Sequence, residues 1–75
     1  MISELELQEL KTKYPVGTRI ELVKMEDIQS PPHGTLGTVI GVDDIGSLLV
    51  RWDNGSGLKI LPEIDKFRKL DTYDR

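Results

Sequence analysis

The sequence predicts a mainly β domain: a small SH3-like five-stranded barrel with an N-terminal α-helix. Three observations carry this expectation. Residues 34–61 hold three short β-type runs separated by turn signals at Asp43-Asp44-Ile45-Gly46 and Asp53-Asn54-Gly55, the pattern of a tight meander. Gly34, Gly37 and Gly41 sit in or beside the middle run, where glycine marks a bulge or a bend at a barrel corner. Helical signals are confined to the first residues, and closing the sheet would remove the edges that a short all-β chain otherwise exposes.

The helix is expected over residues 3–13. Ser3 and Glu6 have capping-box spacing, with Ile2 and Leu7 placed for a hydrophobic staple. Leu7, Leu10 and Tyr14 recur on one face and are expected to meet the barrel; the alternative is an amphipathic helix that binds a partner. Acids lead the segment and Lys11 and Lys13 close it, in accord with the helix dipole. Tyr14-Pro15 ends it, because a residue before proline is pushed out of the α region. The segment is only about three turns long and depends on packing.

Val16-Gly17 reads as a turn into the first strand, Thr18–Met25, with Ile20 and Leu22 on one face and Arg19, Glu21 and Val23 on the other. Residues 26–34 form a polar loop with a Pro-Pro pair, either functional or a connection stiffened by its prolines. The second strand, Leu36–Asp43, breaks alternation at Val39-Ile40-Gly41-Val42. A bulge near Ile40-Gly41 would return Val39 and Val42 to the inside. The third strand, Ser47–Asp53, alternates Leu48, Val50 and Trp52 against Leu49, Arg51 and Asp53. Asn54-Gly55 is a strong hairpin signal, so residues 57–61 are expected to return as the fourth strand. A 3₁₀-type turn comes next at Pro62–Asp65, then a closing strand over Phe67–Leu70. Residues 71–75 read as a frayed tail.

The chain of 75 residues makes one domain with a thin core. It has no cysteine to staple or ligate with, so packing or oligomerisation must supply the remainder. A net charge of −3 argues against general nucleic-acid binding, which draws its affinity from Lys and Arg on phosphates. The first ten residues lack the basic start and apolar run of a signal peptide, and no stretch approaches the roughly 20 apolar residues of a membrane span. A cytoplasmic protein that does not engage membranes is expected.

No catalytic constellation stands out. His33 is the only histidine; beside Pro31-Pro32 it reads as a solvated loop residue with no orienting carboxylate. Asp43, Asp44 and Asp53 could meet a hard cation, but their spacing is not that of a calcium loop, and Asp is a preferred turn residue for its own backbone bonding. Gly34 and Gly37 lack the lysine and succeeding helix of a phosphate loop. Trp52 shares a strand face with Leu48 and Val50 and reads as core, which disfavours a polyproline groove. No catalytic residue, cofactor or metal is assigned.

In combination, Tyr14-Pro15-Val16-Gly17-Thr18-Arg19-Ile20, Pro32–Gly34 with Gly37-Thr38-Val39, Val42-Asp43 and Val50-Arg51-Trp52-Asp53-Asn54-Gly55-Ser56 closely resemble an uncharacterised small-domain family of Gram-positive bacteria and their phages and mobile elements. The resemblance covers roughly residues 14–70 and brings no established activity. More loosely, Gly34-x-x-Gly37-Thr38-Val39 with Val50-x-Trp52-Asp53-Asn54-Gly55-Ser56 is similar to the SH3-like repeats of Mind bomb and HERC-type ubiquitin ligases, which bind peptides. KOW-type barrels, which contact nucleic acid or protein, share the same glycine-valine turn logic. Both likenesses imply the fold and leave the ligand open.

The expectation for function is a non-enzymatic protein-interaction module. Its expected surface is the 26–34 loop with its approach (Met25, Ile28, Pro31, Pro32, His33) and an acidic turn, Asp43-Asp44, taken to lie beside it. The alternatives are nucleic-acid binding through a basic edge of Arg51, Lys59, Lys66, Arg68 and Lys69, with Arg51 next to Lys59 across the hairpin, or a self-assembling structural protein of a phage or mobile element. Bland readings compete with the first two: a prolyl connection and solvated exterior charges.

Overall fold

The computed structural model describes residues 2–70, so the expected tail lies outside the described residues. One helix, α1 (Glu4–Lys13), precedes four strands: β1 (Arg19–Lys24), β2 (Leu36–Val42), β3 (Leu48–Trp52) and β4 (Lys66–Lys69). All neighbours in the single sheet, ordered β3-β2-β1-β4, are antiparallel. The five-stranded closed barrel is corrected to an open four-stranded sheet.

The missing strand has a local cause. Residues 57–61 do return beside β3, but only Leu48 and Ile60 pair, exchanging bonds of 2.9 and 3.0 Å. Antiparallel pairing would next join Val50 to Leu58. The Leu58 carbonyl instead accepts the Trp52 indole Nε1–H at 2.9 Å, and the Leu58 N–H leans on Ser56 Oγ at 3.4 Å. A side chain has taken the backbone acceptor that the ladder needed.

Strand alternation places the core as expected. Ile20, Leu22, Val39, Leu48, Val50, Trp52 and Ile60 are buried together, with Tyr14, Met25, Val42 and Phe67 packed around them. The bulge falls at Ile40: Val39 faces Val50 and Gly41 faces Leu49, which leaves Ile40 outside. Gly37 is required by packing, because a Cβ there would stand 2.7 Å from both the Trp52 ring and Val50 Cγ1.

The helix carries its capping box: Ser3 Oγ accepts the Glu6 N–H at 3.1 Å, and Glu6 Oε1 accepts the Ser3 N–H at 2.9 Å. Its packing is lighter than expected. Leu7, Leu10 and Tyr14 are half-buried, and no residue of α1 is fully buried. The C-terminal end is tied to β4, where Tyr14 meets Phe67 with ring centroids 5.3 Å apart and Lys69 Nζ donates to the Lys13 carbonyl at 2.9 Å. The other end of α1 rests on the 43–47 turn, where Ile2 and Leu10 cover Gly46.

Because the atoms beside Gly37 are ring, strand and backbone rather than a flexible chain end, Gly37→Ala is expected to destabilise the fold by about 1–3 kcal/mol. Urea unfolding followed by Trp52 fluorescence measures it; a change within error would show that β2 and β3 can separate without cost.

Candidate functional site

The 26–34 loop is anchored at both ends. Gly34 N–H donates to the Leu22 carbonyl at 2.8 Å, Thr35 Oγ1 donates to the Pro32 carbonyl at 2.6 Å, and Asp27 Oδ1 accepts the Gln29 N–H at 2.7 Å. Met25 packs against the core and Pro31 is buried, so these two serve the scaffold. Pro32 and His33 are exposed, and Ile28 is 100% exposed.

The Asp43-Asp44 turn does not neighbour this loop. The loop enters β2 at Leu36 and the turn leaves it at Val42, about 20 Å apart at the rise of an extended strand. Asp43 is a structural anchor: Oδ1 accepts N–H groups from Ser47 at 2.8 Å and Ile45 at 3.2 Å, and Oδ2 meets Lys59 Nζ at 3.1 Å. The Ser47 N–H first, then Lys59, holds its carboxyl below the usual range. Asp44 is exposed. Asp53 lies at the other end of β3, clamped by Arg19 at 3.0 and 2.8 Å, which lowers its pKa in the same way. Among the described residues no group of His, Cys, Asp or Glu is placed to hold a metal ion, and no helix is long and apolar enough to cross a membrane.

The expected basic edge is dispersed. Lys59 is held by Asp43, Arg68 by Glu21 at 2.7 Å, and Lys69 by the Lys13 carbonyl. Arg51 stands opposite Thr38 in β2. Arg51 and Lys66 are exposed on the two outer strands of the sheet, about 14 Å apart at ordinary strand spacing.

What the structure does assemble is a cleft of about 590 Å³ where α1, the 43–47 turn and the 61–65 turn converge. The chain folds locally to make its walls. Asp43 closes the first turn and Gly46, at φ +89°, reverses it. The second is closed by Asp65, whose carboxylate accepts the Leu61 N–H at 2.8 Å while its own N–H donates to the Leu61 carbonyl at 2.8 Å. Each turn carries an exposed isoleucine into the cleft, Ile45 at 72% and Ile64 at 63% exposure, with Leu61 beside them. Glu6, Glu9 and Lys13 line it from the helix and Glu63 from the second turn. Ser47 stands in the wall, its Oγ buried and without a hydrogen-bond partner among the described residues.

Sequence reasoning misses this site because Asp43-Asp44-Ile45-Gly46 and Pro62-Glu63-Ile64-Asp65 carry the composition of plain turns. The available signal is an isoleucine inside each turn, where polar residues are the rule.

An open antiparallel sheet with an N-terminal helix and an apolar cleft at one end defines a small β-rich domain that presents a surface. The chain belongs to the family DUF4314, a domain of unknown function, whose model matches residues 3–70. No curated protein and no solved structure matches it.

The lowered carboxyls of Asp43, Asp53 and Glu6 set an acid dependence. Their folded pKa values lie below the unfolded ones. Their contribution to stability is therefore present above about pH 4 and lost as pH falls through the folded values. Asp43→Asn is expected to lower the urea midpoint at neutral pH and to flatten the decline below about pH 4. An unaltered acid limb in that variant would remove Asp43 from the account.

Proposed function

We propose that this chain is a non-enzymatic protein-interaction module, a partly opened relative of the SH3-like barrel, that docks a short segment of another protein in the cleft between α1 and the two turns. The observation that carries the reading is the pair of isoleucines, Ile45 and Ile64, held in solvent at the mouth of a concave surface. Isolated exposed apolar residues are ordinary; apolar residues converging on a concavity of a few hundred cubic ångströms are the usual form of a binding site. Their place on turns closed by Asp43 and Asp65 fixes them before a partner arrives, which lowers the ordering cost of binding. The helix supports the same reading, since no residue of α1 is fully buried by its own domain.

The pairing of Lys59 with Asp43 and of Arg68 with Glu21 favours this over phosphate binding. A protein partner needs shape and apolar area, whereas a nucleic acid needs several free cations along one line.

Selection of short displayed peptides on the immobilised chain tests the proposal. Enriched peptides are expected to lose binding to Ile45→Glu and Ile64→Glu variants and to keep it with Ile28→Ala. Peptides that respond to Ile28→Ala alone would move the site to the 26–34 loop, and no enrichment would overturn the reading.

A further inference from the structure

The charge of the cleft narrows the chemistry of its occupant. Ion pairs elsewhere engage four acids of the sheet and loops: Asp53 with Arg19, Glu21 with Arg68, Asp43 with Lys59 and Glu26 with Lys24. Glu9 on the helix wall and Glu63 on the second turn have no ion-pair partner among the described residues. Glu6 adds a third carboxylate, although one of its oxygens is committed to the Ser3 N–H. Against these stands Lys13 at the last turn of α1, with its ammonium 5.5 Å from the centre of the Tyr14 ring. The apolar cleft is therefore bordered by a surplus of negative charge.

Ser47 supplies an independent observation. Its backbone is fully used in the turn, the N–H by Asp43 Oδ1 and the carbonyl by the Asp43 N–H. The residue lines the cleft, and its hydroxyl is buried with no hydrogen-bond partner among the described residues. A hydroxyl withdrawn from water without a partner costs stability, and such groups are few in folded proteins. A ligand atom reaches it only by displacing the wall atoms that cover it, and would then satisfy it.

We propose that the cleft takes a partner-protein segment in which an apolar side chain lies next to Lys or Arg. The apolar side chain sits among Ile45, Leu61 and Ile64, the cation faces Glu9 and Glu63, and a polar group of the segment meets Ser47 Oγ. This rests on the docking reading above and adds the sign of the partner's charge and one hydrogen bond. A second copy of the chain offers fewer cations, chiefly Arg51 and Lys66, because Lys59, Arg68 and Lys69 are already bonded within their own molecule.

The test uses three displayed peptide libraries that share a fixed central leucine and differ in its flanking residues: Lys or Arg, Ser or Gly, Asp or Glu. The best peptide from each is titrated by fluorescence anisotropy against wild type, Glu63→Lys, Ser47→Ala and Ile64→Glu. The basic library is expected to give the tightest binder. Glu63→Lys should weaken it about two- to fivefold, with the difference shrinking at high salt. Ser47→Ala should raise Tm, by removing an unmatched hydroxyl, while weakening the peptide about fivefold. A higher Tm with unchanged affinity would overturn the role of Ser47. Peptides that need Ile64 yet bind equally from all three libraries, indifferent to Glu63→Lys, would overturn the basic partner and leave the docking surface standing. The absence of any Ile64-dependent peptide would overturn both. Concentration-dependent self-association lost in Glu63→Lys would replace the foreign partner with a second copy.

Discussion

The indole of Trp52 holds this fold in two directions. Its ring lies against Gly37, directly opposite in β2, so closely that the glycine cannot acquire a Cβ. Its Nε1–H reaches the Leu58 carbonyl and draws the 56–60 segment over the edge of β3. A buried indole needs an acceptor, and meeting that need here interrupts the strand pairing that would have carried the sheet toward closure. The same contact thus secures the core and leaves the sheet open. Ile60 still seals the core from the return segment, through the single bridge to Leu48.

The two ends of the sheet differ in kind. At the Leu36 end, the prolyl loop is fastened by backbone bonds and Asp53 is clamped by Arg19. Across the outer face Arg68 and Glu21 are joined as well, so these sheet charges are paired, while Ile28 stands in solvent on the loop. At the Val42 end, two turns and α1 leave apolar side chains in solvent, and Glu9 and Glu63 have no ion-pair partner among the described residues. Unmet interactions gather there, while the scaffold that bears them is firmly hydrogen-bonded. The proposed docking site combines that rigid frame with an unsatisfied surface.

Much of the fold was legible in particular residues. Ser3 and Glu6 announced the helix start, Tyr14-Pro15 its end, and the Leu48-Val50-Trp52 alternation one face of the core. The irregular Val39-Ile40-Gly41-Val42 run announced the bulge, since no single alternation accommodates it. These are local matters, in which neighbouring residues settle capping, strand face and turn geometry by direct contact. The cleft was only half legible. Ile45 and Ile64 are unusual residues inside turns, yet nothing in the chain order indicates that residues so far apart share one concavity. The supposed joint surface of the 26–34 loop and Asp43-Asp44 failed for the complementary reason, since a strand of the length of β2 holds the loop before it and the turn after it at opposite ends.

The sequence by itself thus determined the helix, the strands β1–β3 with their core faces and the bulge in β2, because short-range sterics and period-two patterning decide those. Only the tertiary structure decided whether the sheet closes, which charges cancel and where apolar turn residues converge. Those outcomes depend on competition for single acceptors and cations across long sequence separations: Trp52 for Leu58, Arg19 for Asp53, Lys59 for Asp43. A linear pattern states what each group can bond to; the folded chain determines which partner it meets.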